Sequence, residues 1–148
     1  MTSRSGPFWD GVTGRAPVPP AAATLGFEFI DADTGRGTIE LAFTATEAFT
    51  NPAGNVLDAF LAAMLYDTAG PALLATLEPG QFQSTLELKA SFLRPVRPGR
   101  IRAHGRVIGR RGDIAYIEAE LSDSGSALIA TASATARVIP LREAPGAP

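Results

Sequence analysis

The sequence predicts an α+β domain in which an antiparallel sheet of five to six strands wraps around one long central helix. One apolar stretch near the middle of the chain has helical spacing, and segments with strand-like alternation flank it on both sides. A chain of 148 residues has room for a single core. We therefore divide it into an N-terminal arm (residues 1–23), one domain (24–139) and a C-terminal tail (140–148).

The arm is rich in Pro, Gly and Ala and contains an aromatic pair, Phe8 and Trp9. We expect an irregular segment with one helical turn that docks on the domain through these two rings. Residues 25–30 and 37–43 then form two strands around a turn at residues 33–35, where Asp, Thr and Gly follow one another.

The central helix is predicted from residue 56 to about residue 77. A turn with the sequence Asn-Pro-Ala-Gly at residues 51–54 precedes it. The apolar side chains with helical spacing are Leu57, Leu61, Met64, Leu65, Ala69 and Leu73. Because Pro71 has no N–H to donate, we expect a kink or a short second helical segment there.

Four further strands are predicted at residues 86–92, 101–107, 115–121 and 128–137. In each of them apolar or small residues alternate with polar ones, so one face points inward. His104 belongs to an outward face. Short turns between the four strands predict a meander in which each strand pairs with the next. The inward residues of the first and last of these strands are Leu86, Leu88, Ala90, Phe92, Leu128, Ala130, Ala132, Ala134 and Ala136.

Composition narrows the possible functions. Thirteen Lys+Arg against fifteen Asp+Glu give a net charge of −2, which argues against a nucleic-acid partner. No stretch approaches the roughly 20 apolar residues of a membrane span, and the first residues lack a secretory signal pattern. We expect a cytoplasmic protein without membrane contact. With no Cys and one His, the chain has no thiolate nucleophile and little basis for a metal site or a Ser–His–Asp triad.

Several local strings, taken in order along residues 24–139, are similar to those of a known family. They are Asn-Pro-Ala-Gly-Asn-Val at 51–56, Phe-Leu-Ala-Ala-Met-Leu at 60–65, Asp67-Thr68, Gly70-Pro71, Thr-Leu-Glu-Leu-Lys-Ala-Ser-Phe-Leu-Arg-Pro at 85–95, and Gly99. In their joint order and spacing they resemble the hotdog-fold thioesterases, specifically the PaaI-like (phenylacetate-pathway) acyl-CoA thioesterases.

The resemblance implies a hotdog fold and a homodimer or tetramer, with an acyl-CoA bound in a pocket at the dimer interface. It implies that water cleaves the thioester without a metal or redox cofactor, so that CoA enters only as part of the substrate. In this family a backbone N–H at the start of the central helix polarises the thioester carbonyl. A carboxylate further along the helix acts as nucleophile or as general base on water.

The site positions of that family are altered in this sequence. After the turn, the family has His or Gln, then two glycines, then six intervening residues, and then Asp or Glu. This chain has Leu57, Asp58, Ala59 and Tyr66 at those positions, while the surrounding strings are kept. Two explanations remain: a diverged member with a new or lost activity, or a pocket rewritten by engineering.

Asp58 has two interpretations. A carboxylate in the first turn of a helix caps free N–H groups and interacts favourably with the helix dipole. Alternatively, Asp58 is a general base in an apolar pocket formed by Leu57, Ala59 and Phe60. A negative charge beside the N–H that polarises the carbonyl would oppose oxyanion formation.

Three further residues are candidates for the chemistry. Tyr66 lies on the same helix face as Asp58, about 12 Å along the axis, and is either a hydrogen-bond donor or an aromatic that fills an interface. Asp67 is the nearest remaining carboxylate. It points about 100° away from residue 66, which favours an accessory role. Asn51 either orients a water or the thioester carbonyl, or simply forms the turn before Pro52.

Substrate contacts are expected from the pocket walls, from the start of the strand that follows the helix, and from loop arginines. The resemblance assigns the two arginines of this set to the CoA phosphates. A solvated strand start and an ordinary charged rim are the alternatives. The expected set is Leu57, Ala59, Phe60, Gln83, Ser84, Arg94 and Arg97.

Three functions are therefore carried forward. The first is an acyl-CoA thioesterase. The second is a hotdog scaffold in which Asp58 abstracts a proton from a small organic substrate. The third is a binder of acyl or aromatic ligands that has no catalytic activity.

Overall fold

The computed structural model of the chain describes residues 4–145, in which a six-stranded antiparallel sheet packs against one 17-residue helix. The α+β architecture predicted from the sequence is thus confirmed. The helices are α1 Pro7–Val12, α2 Pro20–Thr24 and α3 Asp58–Leu74. The strands are β1 Glu28–Asp33, β2 Thr38–Ala45, β3 Gln81–Phe92, β4 Gly99–Arg111, β5 Ile114–Ser122 and β6 Leu128–Pro140.

The strand order is β1-β2-β4-β5-β6-β3, so the predicted meander is only partly correct. Strands β4, β5 and β6 pair in sequence order, but β3 pairs with β6 and not with β4. Residues 93–98 carry the chain from the β3 edge back to the middle of the sheet. Six extended residues span up to ~20 Å, which exceeds the ~14 Å of three strand spacings. The short connection between β3 and β4 is therefore long enough to join strands that are not adjacent in the sheet.

Most predicted inward residues of β3 and β6 do face inward, including Leu88, Ala90 and the alanines of β6, but two bulges overturn the prediction at the first position of each strand. In β3 the register shifts between Thr85 and Glu87, and Leu86 is 52% exposed. In β6 the extra residue is Ile129, which is fully buried, whereas Leu128 lies on the surface. One inserted residue moves the rest of a strand to the opposite face, because side chains alternate with a period of two. Phe92, also expected inside, is exposed at the end of β3.

Helix α3 occupies the inner face of the sheet. It contacts β2 to β6, and its buried side includes Leu61, Met64 and Leu65. Small inward residues make room for it: a Cβ on Gly105 would stand 3.1 Å from side-chain carbons of Ala72 and Thr68. No helix within residues 4–145 is long and apolar enough to cross a membrane.

Pro71 lies inside the last turn of α3, and the helix continues to Leu74 without a second segment. Of the two outcomes expected at Pro71, the short second helical segment is therefore wrong. A proline removes one backbone donor but does not end a helix that is held by packing on the sheet.

The N-terminal arm docks through its aromatic pair, as predicted, but forms two short helices and not one turn. Trp9 is 2% exposed. Its ring meets Phe8 and Phe29 edge to face, at centroid distances of 5.1 and 5.6 Å. The Arg4 guanidinium lies 4.8 Å from the Trp9 ring centroid. In the tail, a short 3₁₀ turn spans Leu141–Glu143, and residues 1–3 and 146–148 lie outside the described part.

Candidate functional site

The loop that leads into α3 is closed by Asn51. Its Oδ1 accepts hydrogen bonds from the backbone N–H groups of Ala53 (3.0 Å) and Asn55 (3.1 Å). The backbone of Asn51 also donates to the Asn55 carbonyl at 2.8 Å and accepts from Gly54 N–H at 2.9 Å. This is the turn-forming role of Asn. Within residues 4–145 the Nδ2 group of Asn51 makes no hydrogen bond, so this group is left to contact a ligand.

Arg97 also supports this loop. Its Nη1 donates to the carbonyls of Ala53 (3.2 Å) and Gly54 (3.3 Å). Gly54 has φ +83°, a conformation that favours glycine. The guanidinium expected to bind CoA phosphates is therefore engaged in positioning the turn before the helix. Arg94, on the same connection, is exposed and makes no side-chain hydrogen bond within residues 4–145.

The first turn of α3 presents two free backbone donors. Leu57 is the N-cap residue and provides no side-chain hydrogen bond. The N–H of Phe60 donates to the Leu57 carbonyl at 2.9 Å, but in the described chain the N–H groups of Asp58 and Ala59 have no acceptor. Both residues are exposed. Free N–H groups at a helix start carry the positive end of the dipole and stabilise a developing negative charge.

Asp58 is exposed in a single protomer and forms no hydrogen bond to a backbone N–H in the described chain. Neither the direct capping bond nor an enclosing apolar pocket is present around it here. Leu57, beside it, is 43% exposed. Phe60 instead stacks on Phe49, with ring centroids 4.2 Å apart and planes 5° apart. Its ring therefore supports the loop before the helix.

Tyr66 and Asp67 follow on α3 in very different surroundings. Tyr66 is 50% exposed. The Asp67 side chain is half-buried, and its Oδ2 atom has no solvent contact and no hydrogen-bond partner within residues 4–145. Burial raises the pKa of Asp67 from 3.8 to about 6. Pro71 also lacks the N–H that would donate to the Asp67 carbonyl, four residues earlier.

Gln83 reaches α3 from the inner face of β3. A Cβ on Gly70 would stand 3.0 Å from Gln83 Nε2, so the amide lies against the helix one turn after Asp67. Thr85 Oγ1 donates to Gln83 Oε1 at 3.2 Å, which leaves Nε2 as the group directed at the helix. Ser84, between them, is exposed.

Gly70 was not among the predicted site residues. The sequence did contain a signal for this contact, namely a glycine inside a helix. Glycine is unfavourable there, so its presence indicates that another segment packs closely against the helix.

Six of the predicted site residues form two groups. Asn51, Asp58, Ala59 and Arg97 lie at the start of α3, and the second group is Asp67 with Gln83 on the β3 side. Asp67 is eight residues after Ala59, about 12 Å along the helix axis. His104 belongs to neither, because it faces outward and its Nδ1 lies 2.6 Å from Glu40 Oε1.

Comparisons with known proteins agree with this fold. Residues 54–130 match the sequence profile of the Thioesterase superfamily. A crystal structure from Ralstonia eutropha JMP134, described as a phenylacetic acid degradation-related protein, is 42% identical. The alignment covers 88% of this chain and 98% of the Ralstonia chain, with a TM-score of 0.85.

Two more distant proteins are similar as well. A protein of Saccharolobus solfataricus assigned by name to the esterases is 29% identical over 108 residues, which are 73% of this chain and 75% of that relative. The PaaI protein from the phenylacetic acid degradation operon of E. coli is 17% identical, with a TM-score of 0.78. It covers 89% of this chain and 93% of its own, and supports the fold alone.

Proposed function

Because the chain belongs to the thioesterase superfamily, we infer that it hydrolyses the thioester of an acyl-CoA. The observation that carries this inference is the pair of free N–H groups of Asp58 and Ala59 at the exposed start of α3. They are the donors that a thioester oxyanion needs, and they belong to the backbone. Side-chain changes at positions 57–59 therefore leave them in place.

The loop before α3 supports this role. The side chain of Asn51 and the guanidinium of Arg97 both hold the turn, and Val56 N–H donates to the Val96 carbonyl at 2.8 Å. These contacts fix where the helix begins and hence where its free donors point. Donors that are already oriented need no reorganisation when charge develops on the substrate.

The site is completed by a second copy of the chain. Within one protomer, about 12 Å of helix separates the free donors from the carboxylate of Asp67. The donors and an attacking water must both reach one carbonyl, so groups on one helix cannot serve together. Strand β3 is a 12-residue edge strand that pairs only with β6 in the described chain. Its unpaired backbone groups, beside exposed Leu86 and Leu93, favour pairing with another β3.

Hydrolysis is tested with short-chain, long-chain and aryl-CoA substrates by following the release of CoA thiol. The chain has no Cys, so a thiol reagent reacts only with the product. The decisive variants are at Asp58. Asp58→Pro removes the N–H at a helix position that accepts proline, and Leu57 already has the extended backbone that precedes one (ψ 136°).

We expect Asp58→Pro to lower kcat by about 100-fold or more, as for loss of an oxyanion donor. Asp58→Asn keeps the N–H and removes the opposing charge, so kcat is expected to rise. Loss of activity in Asp58→Asn would instead favour the alternative in which the Asp58 carboxylate is the base. If the unmodified protein cleaves none of the substrates, the proposed function is wrong.

The dimer is tested separately. Leu86→Lys places a charge on the β3 edge and is expected to shift the mass measured by light scattering towards the monomer. Ile30→Lys is the matched control, because Ile30 is 39% exposed on the opposite edge strand, β1. An equal effect of both variants, or of neither, would contradict pairing through β3.

A further inference from the structure

Resting on the proposed hydrolysis, we propose that Asp67 is the carboxylate that activates the attacking water, and that Gln83 positions this water against it. Position 66, where the family has its carboxylate, holds Tyr66. Among the three titratable side chains of α3, Asp67 has a buried oxygen without a partner. Asp58 is exposed at the other end of the helix.

The unpartnered Oδ2 of Asp67 is the first argument. A buried carboxylate oxygen without a hydrogen bond destabilises a fold, and such atoms are uncommon. A water that donates to Oδ2 satisfies it. The residue as a whole is half-buried, whereas Oδ2 has no solvent contact in one protomer, so the carboxyl group must rotate for a water to reach this atom.

The orientation of Gln83 is the second argument. The hydroxyl of Thr85 occupies Gln83 Oε1, which turns the Nε2 donor towards α3 at Gly70. Gln83 and Asp67 form no direct hydrogen bond. A donor and an acceptor held one helical turn apart, on facing elements, accommodate a water that accepts from Nε2 and donates to Oδ2.

The surroundings of Asp67 suit a general base. Burial is the resolved cause of its raised pKa, and no charge on the strands β2 to β6, which pack against α3, contributes. Gln83 and Thr85, which face the helix from β3, are uncharged. A pKa of about 6 leaves the group ionised at neutral pH and a stronger base than an ordinary aspartate.

The step balances as follows. The water transfers a proton to Asp67 Oδ2 while its oxygen forms a bond to the thioester carbon, and the oxyanion is held by the N–H groups at the start of the partner copy's α3. The carbon–sulfur bond then breaks. Asp67 returns the proton to the departing CoA thiolate, so that one acyl-CoA and one water give a carboxylic acid and CoA.

The test compares the full-length protein with its Asp67→Asn variant on the same acyl-CoA panel. We expect kcat to fall by about 100-fold or more with KM little changed, as for loss of a general base. In the unmodified protein kcat/KM is expected to rise as the pH increases through about 6, because the base must be ionised. In the Asp67→Asn variant we expect no such rise of kcat/KM with pH.

Two further variants separate positioning from folding. Gln83→Leu keeps the side-chain volume and removes the donor, so kcat is expected to fall about 10-fold while KM and the melting temperature change little. Asp113→Asn, an exposed carboxylate in the β4–β5 turn, is the control and should match the unmodified rate.

An active parent whose Asp67→Asn variant keeps the same kcat and pH profile overturns the role of Asp67 and leaves the proposed hydrolysis intact. A parent that cleaves nothing overturns both.

Discussion

Gln83 and Gly70 are in close contact across the interface between β3 and α3, since a Cβ on Gly70 would stand 3.0 Å from Gln83 Nε2. The contact joins an edge strand to the central helix beside Asp67. It explains a glycine in the interior of a helix, where alanine would be more favourable by about 1 kcal/mol.

Gly70→Ala is therefore expected to show a stability gain that depends on Gln83. In a Gln83→Ala background the added methyl meets no amide, and the free energy of unfolding should rise by about 0.5–1 kcal/mol. In the unmodified background Gln83 must shift, and the gain should be smaller by about 0.5 kcal/mol. Urea denaturation of the four proteins measures this difference. Equal gains in both backgrounds would contradict the contact.

Asp67 also makes the stability depend on pH. Its pKa is raised from 3.8 to about 6 in the folded state, so the folded protein holds the proton more tightly than the unfolded chain. The stabilising contribution of the protonated Asp67 is therefore fully present below the unfolded pKa of 3.8. It is lost as the pH rises through the folded pKa of about 6. The full two-unit shift corresponds to about 3 kcal/mol, and partial exposure reduces this to about 1–3 kcal/mol.

Asp67→Asn removes this dependence. We expect the variant to be more stable than the parent at pH 7 and equally stable near pH 4, as measured by urea denaturation at both values. This also means that a loss of activity in Asp67→Asn is not explained by unfolding. A variant that is less stable than the parent at pH 7 would contradict the destabilisation of the charged carboxylate by burial.

Gly26 is required by the approach of β2. It has φ +68°, and a Cβ there would stand 2.8 Å from Thr44 Cβ and 2.9 Å from Thr44 N. Gly26→Ala is expected to lower the free energy of unfolding by about 2 kcal/mol or more, because it combines a left-handed backbone with a clash against backbone atoms. Gly80→Ala is the control, since no atom lies within 4 Å of its Cβ position. A similar loss in both variants would contradict this explanation.

The sequence by itself determined the order of the six strands and the central helix, most of the core-facing side of α3, and the arm that docks through Trp9, although α3 (58–74) is shorter than the predicted helix (56–77). Those features depend on local periodicity and on residue size, and both can be read from one continuous segment of the sequence. It also identified Asn51, Asp67 and Gln83 as candidate site residues. Each carries a polar group, and the predicted turn, helix or strand fixes its position along the chain.

Only the tertiary structure decided that β3 pairs with β6 and that Ile129, not Leu128, is buried in β6. It also decided that Arg97 holds the loop before α3. These outcomes depend on contacts between segments far apart in sequence: Arg97 donates to the carbonyl of Ala53, 44 residues earlier. The same holds for Asp67, whose raised pKa comes from burial. A helical periodicity shows where a carboxylate points, but its desolvation is set by the strands that fold over it.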